Sequence, residues 1–464
     1  MASCWSDDPL GWLRERGGTA CADVATAVGP HGGGLFAERA IAAGTRLMSV
    51  PASLMLMASE ERGEDEQELH EGCRLCLRLL AERARGADSR WHGWLEDLPV
   101  LFDTPLHWPK EELAALGCPL LIAQVKEEAS TLRQLIAALQ STRPSLDAAS
   151  YLWAYSIVQS RGFSVVPTDD GETRWALVPA ADFLNHAAEA NVDAAWSAEE
   201  QAYTYTALSD LAPGDELFIT YGRHDDALLL TQYGFVLSNN PHARVRLVLD
   251  AGADGADGAD GADGADGADG ADGATAGSDT TDGATDDDDA EWLEQNDLAD
   301  ADRLALDAAA EPSFELLSAL RLRHATAAER QAGAAFRILE GEAVSAANEA
   351  RVRRDVRALL QARLEAIALG DGVDDEGATA AKAELQRPRE PSSRPSDATP
   401  ATRQQLARAW RSGQRQLLQA ALAALDSDDD ERAPPPGGGG GAGCRSVGTA
   451  GDAKTMPRKR RRAS

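Results

Sequence analysis

The sequence predicts an α+β protein in which a β-rich domain with a helical insertion is followed by an all-helical domain. Two observations carry this prediction. Strand-like segments occur between residues 35 and 50 and again between 174 and 221, and a helical block of roughly a hundred residues separates them. Helical periodicity then dominates beyond residue 291. We therefore expect a β-rich domain over 9–249 with an insertion at about 60–150, and a helical domain over 291–425.

The composition limits the classes of partner. The 464 residues carry a formal net charge of −31, but 18 Asp and Glu residues and no Lys or Arg lie between 251 and 302. More than half of the net negative charge therefore falls in this one segment, which lies mostly between the two predicted domains. An acidic chain disfavours nucleic acid and only weakly steers basic protein partners. No apolar run is long enough to span a bilayer. We expect a monomer with no direct nucleic-acid contact and no membrane partner.

The first β-rich segment contains a run of glycines. His31-Gly32-Gly33-Gly34 precedes a predicted strand over 35–41, and a turn at Ala43-Gly44 leads to a second strand over 45–50. We expect these two strands to pair as a hairpin-like unit. Because glycine adopts positive φ and has no side chain, the run before the first strand lets a ligand approach the backbone closely.

The helical block begins with a strongly periodic helix over 66–85 that contains Cys73 and Cys76. A zinc site needs about four ligands, and no second C-x-x-C pair follows. We interpret these cysteines as buried or half-buried thiols and expect no metal. The low cysteine content favours a reducing compartment. Further helices are predicted over 110–116, 120–140 and 147–159.

The second β-rich segment, 176–241, places polar and aromatic residues at the ends of predicted elements. Its order is an extended run to Pro179, then Asp182 and Asn185-His186, a strand with alternating residues over 203–208, a turn at Pro213-Gly214, a strand over 216–221, a helix over 225–232 and Tyr233-Gly234-Phe235. Each residue is common by itself, and the information lies in their order and spacing.

Two segments are predicted to be disordered. The triplet Gly-Ala-Asp repeats seven times within 250–290, buries nothing and repels itself, so this segment is interpreted as an acidic linker. Residues 371–400 are polar and contain prolines, which predicts a loop. The tail, 426–464, ends in the basic run 457–462, which is typical of a nuclear localisation signal. We expect the protein in the nucleus, the cytoplasm or both.

Three separated pieces resemble the SET-domain methyltransferases: Gly32-Gly33-Gly34-Leu35, Asp182-x-x-Asn185-His186, and Glu216 through Tyr221-Gly222. The run 152–163 and the insertion before it resemble the branch that contains the plant Rubisco large-subunit lysine methyltransferase and the actin-histidine methyltransferase. Within that branch, 221–242 is most similar to the SET domain-containing protein four group. The resemblance covers 9–249 and 291–425. It implies a β-rich SET domain with a pseudoknot-like active site and a helical substrate-binding domain.

The resemblance implies a site for S-adenosylmethionine (SAM). Tyr221 is the implied catalytic residue, with its hydroxyl aimed at the reacting centre. The residues implied to bind the cofactor are His31, Gly32, Gly33, Arg161, Asn185, His186, Tyr221 and Phe235. Those implied to bind the protein substrate are Arg161, Asp182 and Tyr233. Methyl transfer from a sulfonium needs an aligned neutral nitrogen. Because a Lys amine has a reference pKa of about 10.4, we expect a narrow, partly apolar channel.

The departures from the branch concern the substrate. Val165 stands where the plant enzyme carries a second substrate-contacting Arg, and Ala187 and Ala188 stand where many histone enzymes have a Cys after Asn-His. The leading hypothesis is therefore a protein-lysine N-methyltransferase with a non-histone protein substrate. A protein-histidine N-methyltransferase and a catalytically silent scaffold that binds SAM or a peptide are the alternatives.

Overall fold

The computed structural model describes residues 8–58, 69–165, 174–249, 286–298, 300, 303–384 and 403–432. The predicted Gly-Ala-Asp repeats, the predicted basic signal at 457–462 and residues 385–400 of the predicted loop lie outside the described residues.

The strands are short, from two to six residues. They are β1 (Thr19–Ala20), β2 (Val24–Gly29), β3 (Gly32–Ala37), β4 (Arg46–Pro51), β5 (Leu56–Met57), β6 (Gly162–Val165), β7 (Arg174–Leu177), β8 (Asn185–His186), β9 (Val192–Ser197), β10 (Ala202–Ala207), β11 (Phe218–Ile219), β12 (Val245–Arg246) and β13 (Ala305–Leu306).

The helices occupy the insertion and the C-terminal region. They are α1 (Pro9–Glu15), α2 (Glu71–Ala84), α3 (His92–Asp97), α4 (Lys110–Ala114), α5 (Pro119–Thr142), α6 (Ala148–Arg161), α7 (Asp226–Leu228), α8 (Asp286–Gln295), α9 (Phe314–Arg323), α10 (Ala327–Gln331), α11 (Ala334–Leu339), α12 (Ala346–Glu384) and α13 (Arg403–Arg432). A π-helix, Leu229–Tyr233, directly continues α7.

Pairing between distant segments builds the β-rich domain. An antiparallel sheet has the strand order β1-β4-β10-β9, and a second has the order β5-β7-β6. The prediction that 35–41 and 45–50 pair as a hairpin is wrong. β3 pairs instead with β2, and β4 lies between β1 and β10, where Tyr203 is opposite Val50. The glycine run therefore starts the return strand of the β2–β3 hairpin.

The insertion packs on the sheets as part of the same core. Leu75 and Leu79 of α2 and Trp94 of α3 are almost fully buried in one apolar cluster with β4, β5, β7 and α6. Burying a side chain of this size contributes about 1.5–3 kcal/mol. The side chain of Asp147 caps α6 by accepting the N–H of Ser150 at 2.8 Å. The helical block is therefore anchored to the β-rich domain through apolar burial.

The C-terminal region has its own core, formed by α9, α12 and α13 around Leu320, Val356 and Leu418. This region is helical as expected, with one addition: β13 pairs with β12, so that Val245 lies opposite Leu306. The prediction of a loop from residue 371 is wrong at its start, because α12 continues to Glu384. Ala is the most frequent residue over 371–384, and it has the highest helix propensity.

The two domains meet in a cluster that we call the interdomain core. It joins α4, α5, α7 and the π-helix to α13, and its members are Trp108, Leu113, Ala115, Leu116, Cys118, Leu121, Val125, Ala227, Leu230, Leu406, Ala407 and Trp410. Backbone carbonyls that follow α4 accept hydrogen bonds from buried guanidinium groups: Arg411 donates to Ala115 and Arg363 donates to Gly117. Gly117 and Gly370 lie so close that a Cβ on Gly370 would be 2.9 Å from the Cα of Gly117.

The described part of the chain contains no helix that is both long and apolar enough to cross a membrane. Cys73 is half-buried and Cys76 is buried in α2, as unpaired thiols, and burial raises the pKa of Cys76 far above its usual value. Their placement agrees with the interpretation of buried or half-buried thiols.

Candidate active site

The candidate site forms where β8 and β11 pair in parallel. Phe218 lies opposite Asn185 and Ile219 opposite His186, and the N–H of Ala187 extends the pairing by donating to the carbonyl of Ile219 at 3.1 Å. Just before β11, the N–H of Leu217 donates to the carbonyl of Leu35 in β3 at 2.8 Å. These bonds bring together the two segments that the pseudoknot-like site was expected to join, and add β3.

Glu216 connects the glycine-containing hairpin to Asn185. One carboxylate oxygen, Oε1, accepts the Asn185 side-chain N–H at 2.7 Å, and the other, Oε2, lies 2.9 Å from Nδ1 of His31. The Asn185 amide also donates to the carbonyl of Gly33 at 3.2 Å. A Cβ on Gly34 would lie only 2.8 Å from Oε1 of Glu216. Glycine at this position is thus required for the close approach of β3 to Glu216.

Tyr221 follows β11, and three hydrogen bonds fix it. Its hydroxyl donates to the carbonyl of Leu184 at 2.9 Å, and its N–H donates to Nδ1 of His186 at 3.0 Å. Its carbonyl accepts Nε2–H of His224 at 2.8 Å. Burial raises the pKa of Tyr221 far above its usual value, against the opposing charge of Arg161. The Tyr221 side chain is therefore a neutral phenol that cannot serve as a general base near neutral pH.

His186 is a neutral hydrogen-bond acceptor at this site. Burial is the main cause that lowers the pKa of His186, and the nearby His224 lowers it further. Since Nδ1 accepts the N–H of Tyr221, the ring hydrogen of the neutral form resides on Nε2. The imidazole thus fixes the main chain at Tyr221.

An aromatic wall, defined by His186, Tyr221, Tyr233 and Phe235, lines one side of the site. The ring centroids of Tyr221 and Tyr233 are 4.8 Å apart, and Phe235 lies 5.9 Å from His186 and 6.4 Å from Tyr221. These separations are typical of favourable aromatic contacts. The wall turns at Gly234, whose φ of 80° ends the π-helix. It rests on the insertion, because a Cβ on Gly234 would lie 3.1 Å from the carbonyl carbon of Asp103.

Asp182 lies below the site in a largely enclosed ion pair. Its side chain is 3% exposed, and Oδ2 accepts the indole N–H of Trp94 at 3.0 Å. Arg161 donates to the Asp182 carbonyl at 2.8 Å and lies 3.4 Å from Oδ2. Oδ1 has no hydrogen-bond partner among the described residues. Burial raises the pKa of Asp182, although Arg161 and Trp94 oppose the shift. Ala180, just before it, has a φ of 69°, a strained value for alanine.

The structure brings most of the expected site residues together. His31 and Gly33 meet Asn185 through Glu216, and Gly32 begins the same strand. His186, Tyr221, Tyr233 and Phe235 share the aromatic wall. Arg161 and Asp182 contact each other, and the exposed fraction of Asp182 leaves little of its side chain for a substrate. Their roles in binding stay predictions.

Four residues that organise the site were missed as site residues. Glu216 was recognised only as part of a motif, since a Glu after Pro-Gly-Asp is typical of a solvated turn. Asn191 donates to the Glu216 carbonyl at 2.8 Å and accepts the N–H of Phe218 at 2.7 Å. Trp94 and Leu184 act through contacts with residues 88 and 37 positions away. The order Asn-His-x4-Asn is the one local signal that could have pointed to Asn191.

The residues present fit SAM. Both N–H groups of the Asn185 amide are used within the protein, and a carboxylate that only accepts fixes the amide orientation. Oδ1 of Asn185, without a described partner, is left as an acceptor for a cofactor ammonium. The half-buried backbone of Gly32 and Gly33 offers donors and acceptors, and Phe235 offers a flat apolar surface. In the described residues, no group of three His, Cys, Asp or Glu is placed to hold a metal ion.

Family models match both domains. The SET domain model matches residues 32–222, and the model described as Rubisco LSMT substrate-binding matches residues 287–418. The chain contains a SET domain followed by a Rubisco LSMT substrate-binding domain. The expected fold class and family are thereby confirmed, and the branch of the resemblance agrees with the relatives below. The narrower similarity to the SET domain-containing protein four group stays a prediction.

Curated relatives are similar over about half of this protein. Actin-histidine N-methyltransferase of Mus musculus is 28% identical over 264 residues, and that of Homo sapiens is 27% identical over 264 residues. Each alignment covers 52% of this chain and 44% of the relative. The chain therefore spans less than half of the length of these relatives.

Solved structures share the fold of the SET-domain protein along most of its length. The SET domain of LSMT bound to lysine and AdoHcy has a TM-score of 0.64 at 21% identity and covers 90% of both chains. Rubisco LSMT bound to AdoMet has a TM-score of 0.62 at 20% identity and covers 93% of both chains. At this identity the similarity shows the fold.

Proposed function

We propose that this SET-domain protein is a SAM-dependent N-methyltransferase that modifies a side chain of another protein. The observation that carries the proposal is the neutral Tyr221 phenol, whose hydroxyl is bonded to the carbonyl of Leu184 and whose ring packs against Tyr233 in the aromatic wall. Relatives named as protein methyltransferases and structures bound to AdoMet or AdoHcy support it. The helical domain supports a protein substrate, since it matches a substrate-binding model.

The geometry assigns the work of each group. Bound SAM would supply an electrophilic methyl group to a neutral nitrogen. Tyr221 donates its own proton to Leu184, so the lone pairs of the phenol oxygen are free to orient the nitrogen that attacks. The aromatic wall excludes water and, through the faces of its rings, favours a cationic product amine. Asn185 and the backbone at Gly32 and Gly33 would hold the cofactor. The proton of the target nitrogen leaves to solvent before transfer.

A test of this role replaces the hydroxyl alone. Tyr221→Phe keeps the ring in the aromatic wall and removes the oxygen that aligns the target nitrogen. We expect radiolabelled methyl transfer to a cell-extract protein pool to fall about 100-fold. Tyr203→Phe in β10 is the control, because its ring lies beside Tyr205 and outside the aromatic wall. Undiminished labelling by Tyr221→Phe would contradict the role of the Tyr221 hydroxyl in methyl transfer. If the wild-type protein binds SAM but transfers no methyl group, the catalytically silent scaffold is favoured.

We propose lysine as the target, and histidine as the second candidate. Lysine is supported by the structural neighbours bound to lysine and methyllysine. Histidine is supported by the actin-histidine relatives. A Lys amine is about 99.9% protonated at pH 7 and an imidazole is mostly neutral. Transfer to lysine should therefore rise about tenfold per unit from pH 7 to about pH 9, whereas transfer to histidine should be nearly flat. Mass spectrometry of the modified residue decides between them.

We further propose that the protein is a monomer. From the basic run at 457–462 we propose that it is located in the nucleus, the cytoplasm or both. A fluorescent fusion that loses nuclear signal when residues 457–462 become alanine supports a working signal, and an unchanged distribution contradicts it. Light scattering of the purified protein tests the monomer.

A further inference from the structure

Glu216 is a nearly enclosed carboxylate at the junction of the two halves of the proposed cofactor pocket. Its side chain is 6% exposed. The main chain at Glu216 is fixed on both sides, because it forms a β-bridge with Phe36 of β3 and its carbonyl accepts the amide N–H of Asn191 at 2.8 Å. The position of this carboxylate is therefore set by the fold, and does not depend on a bound molecule.

The charge of Glu216 has few partners. Its hydrogen-bond donors in the described part of the chain are the neutral amide of Asn185, at 2.7 Å from Oε1, and the imidazole of His31, at 2.9 Å from Oε2. No Arg or Lys forms an ion pair with it among these residues, in contrast to Asp182, which pairs with Arg161. The His31 side chain is 56% exposed and is therefore well hydrated. A largely uncompensated negative charge thus lies against the pocket.

The negative charge of Glu216 acts electrostatically on Tyr221. Besides burial, which is the largest cause, the negative charges of Asp182 and Glu216 raise the pKa of Tyr221, and Arg161 opposes them. Asp182 is paired with Arg161, whereas Glu216 has no Arg or Lys partner among the described residues, so less of its charge is compensated by its neighbours. A cation placed in the pocket would be stabilised by it, and a neutral molecule of the same shape would not.

SAM and its product differ in this respect. SAM carries a sulfonium, and S-adenosylhomocysteine (SAH) has a neutral thioether in its place, with the rest of the molecule unchanged. We propose that Glu216 is a positioning residue that orients Asn185 and His31, and that its buried charge makes the pocket prefer SAM over SAH. This inference rests on the proposed function. It implies that the affinity of the protein for the cofactor falls once the methyl group has been transferred and SAM has become SAH.

The experiment compares the dissociation constants of SAM and SAH by calorimetry, without turnover. Glu216→Gln keeps the shape of the side chain and removes its charge. We expect the SAM preference, the ratio of the SAH to the SAM dissociation constant, to fall about tenfold. Glu189→Gln is the matched control, since Glu189 is exposed in the connection between β8 and β9 and the substitution changes the net charge equally. The control should keep the wild-type ratio.

The outcomes separate the possible explanations. A purely structural role of Glu216 predicts equal weakening of SAM and SAH, which would overturn the charge-based inference while leaving the proposed function intact. A wild-type protein that binds neither molecule would remove the proposed function and this inference with it.

A second measurement uses only the wild-type protein, in case Glu216→Gln does not fold. A preference caused by a buried charge persists when NaCl is raised from about 0.05 to about 0.5 M, because screening acts mainly on exposed charges. A preference that disappears at high salt would assign it to the diffuse acidity of the chain and would overturn the inference.

Discussion

Gly34 is a position where a single added methyl group should disturb the candidate site. A Cβ there would lie 2.8 Å from Oε1 of Glu216, 3.0 Å from Nδ2 of Asn185 and 3.3 Å from Cε2 of Phe36. Overpacking of this kind costs about 1–3 kcal/mol, and the lower unfolded-state entropy of alanine returns about 0.4–1 kcal/mol. We expect Gly34→Ala to lose about 1–2 kcal/mol of stability. For a domain of this size the midpoint of thermal unfolding should fall by about 2–8 °C.

Calorimetry of the same variant reports on the pocket. Displacement of Asn185 and Glu216 by a few tenths of an ångström should weaken SAM binding about tenfold. Gly413→Ala is the control: it lies exposed in α13 with nothing near its Cβ position, and alanine there should stabilise by about 0.5–1 kcal/mol. An unfolding midpoint of Gly34→Ala at or above that of the wild-type protein would refute the close approach of β3 to Glu216.

Two further substitutions test the supports of the site. Trp94→Phe removes the indole donor to Asp182 and should cost about 1.5–3 kcal/mol of stability in chemical denaturation. Because burial already raises the pKa of Asp182 and the substitution would raise it further, this loss of stability should grow from pH 5 to pH 8. Trp91→Phe is the control: it loses a bond to the neutral carbonyl of Leu54, so its loss of stability should not depend on pH. Gly234→Ala places a side chain at positive φ and 3.1 Å from Asp103, so it should lose both stability and methyl-transfer activity. Gly44→Ala is the control: Gly44 also has positive φ but open space around it, so the substitution should cost only about 1 kcal/mol. Equal losses in thermal unfolding would contradict the contact between the aromatic wall and the insertion.

The sequence predicted those parts of the fold that depend on local patterns. Helical spacing predicted α2, α5, α6 and α13, and alternation predicted β10. It did not predict the partner of β4, because β10 lies more than 150 residues farther along and pairing over such distances leaves no local trace. The hairpin expected between 35–41 and 45–50 followed from the rule that neighbouring strands pair, which long-range packing overrode here.

The site divides in the same way. Motif order brought forward Asn185, His186 and Tyr221, which the structure places in contact. Glu216 was overlooked as a site residue because a carboxylate after a Pro-Gly turn is usually solvated, and only the approach of β3 encloses it. Trp94 belongs to the insertion, and no spacing rule links an indole in α3 to a carboxylate 88 residues later. Enclosure by distant elements is a property of the folded chain, so sequence patterns do not contain it.

The interdomain core has a consequence for how the protein comes apart. Leu113 and Leu121 of the insertion pack in it with Leu406 and Trp410 of α13. Unfolding of either domain would therefore expose buried apolar side chains of the other to water. The two domains should therefore denature as one cooperative unit, with a single peak in scanning calorimetry, and two resolved peaks would contradict this. A fragment that ends at residue 249 would expose its side of the interdomain core to water. The substrate-binding domain is thus also a structural support of the SET domain, which cannot be separated from it intact.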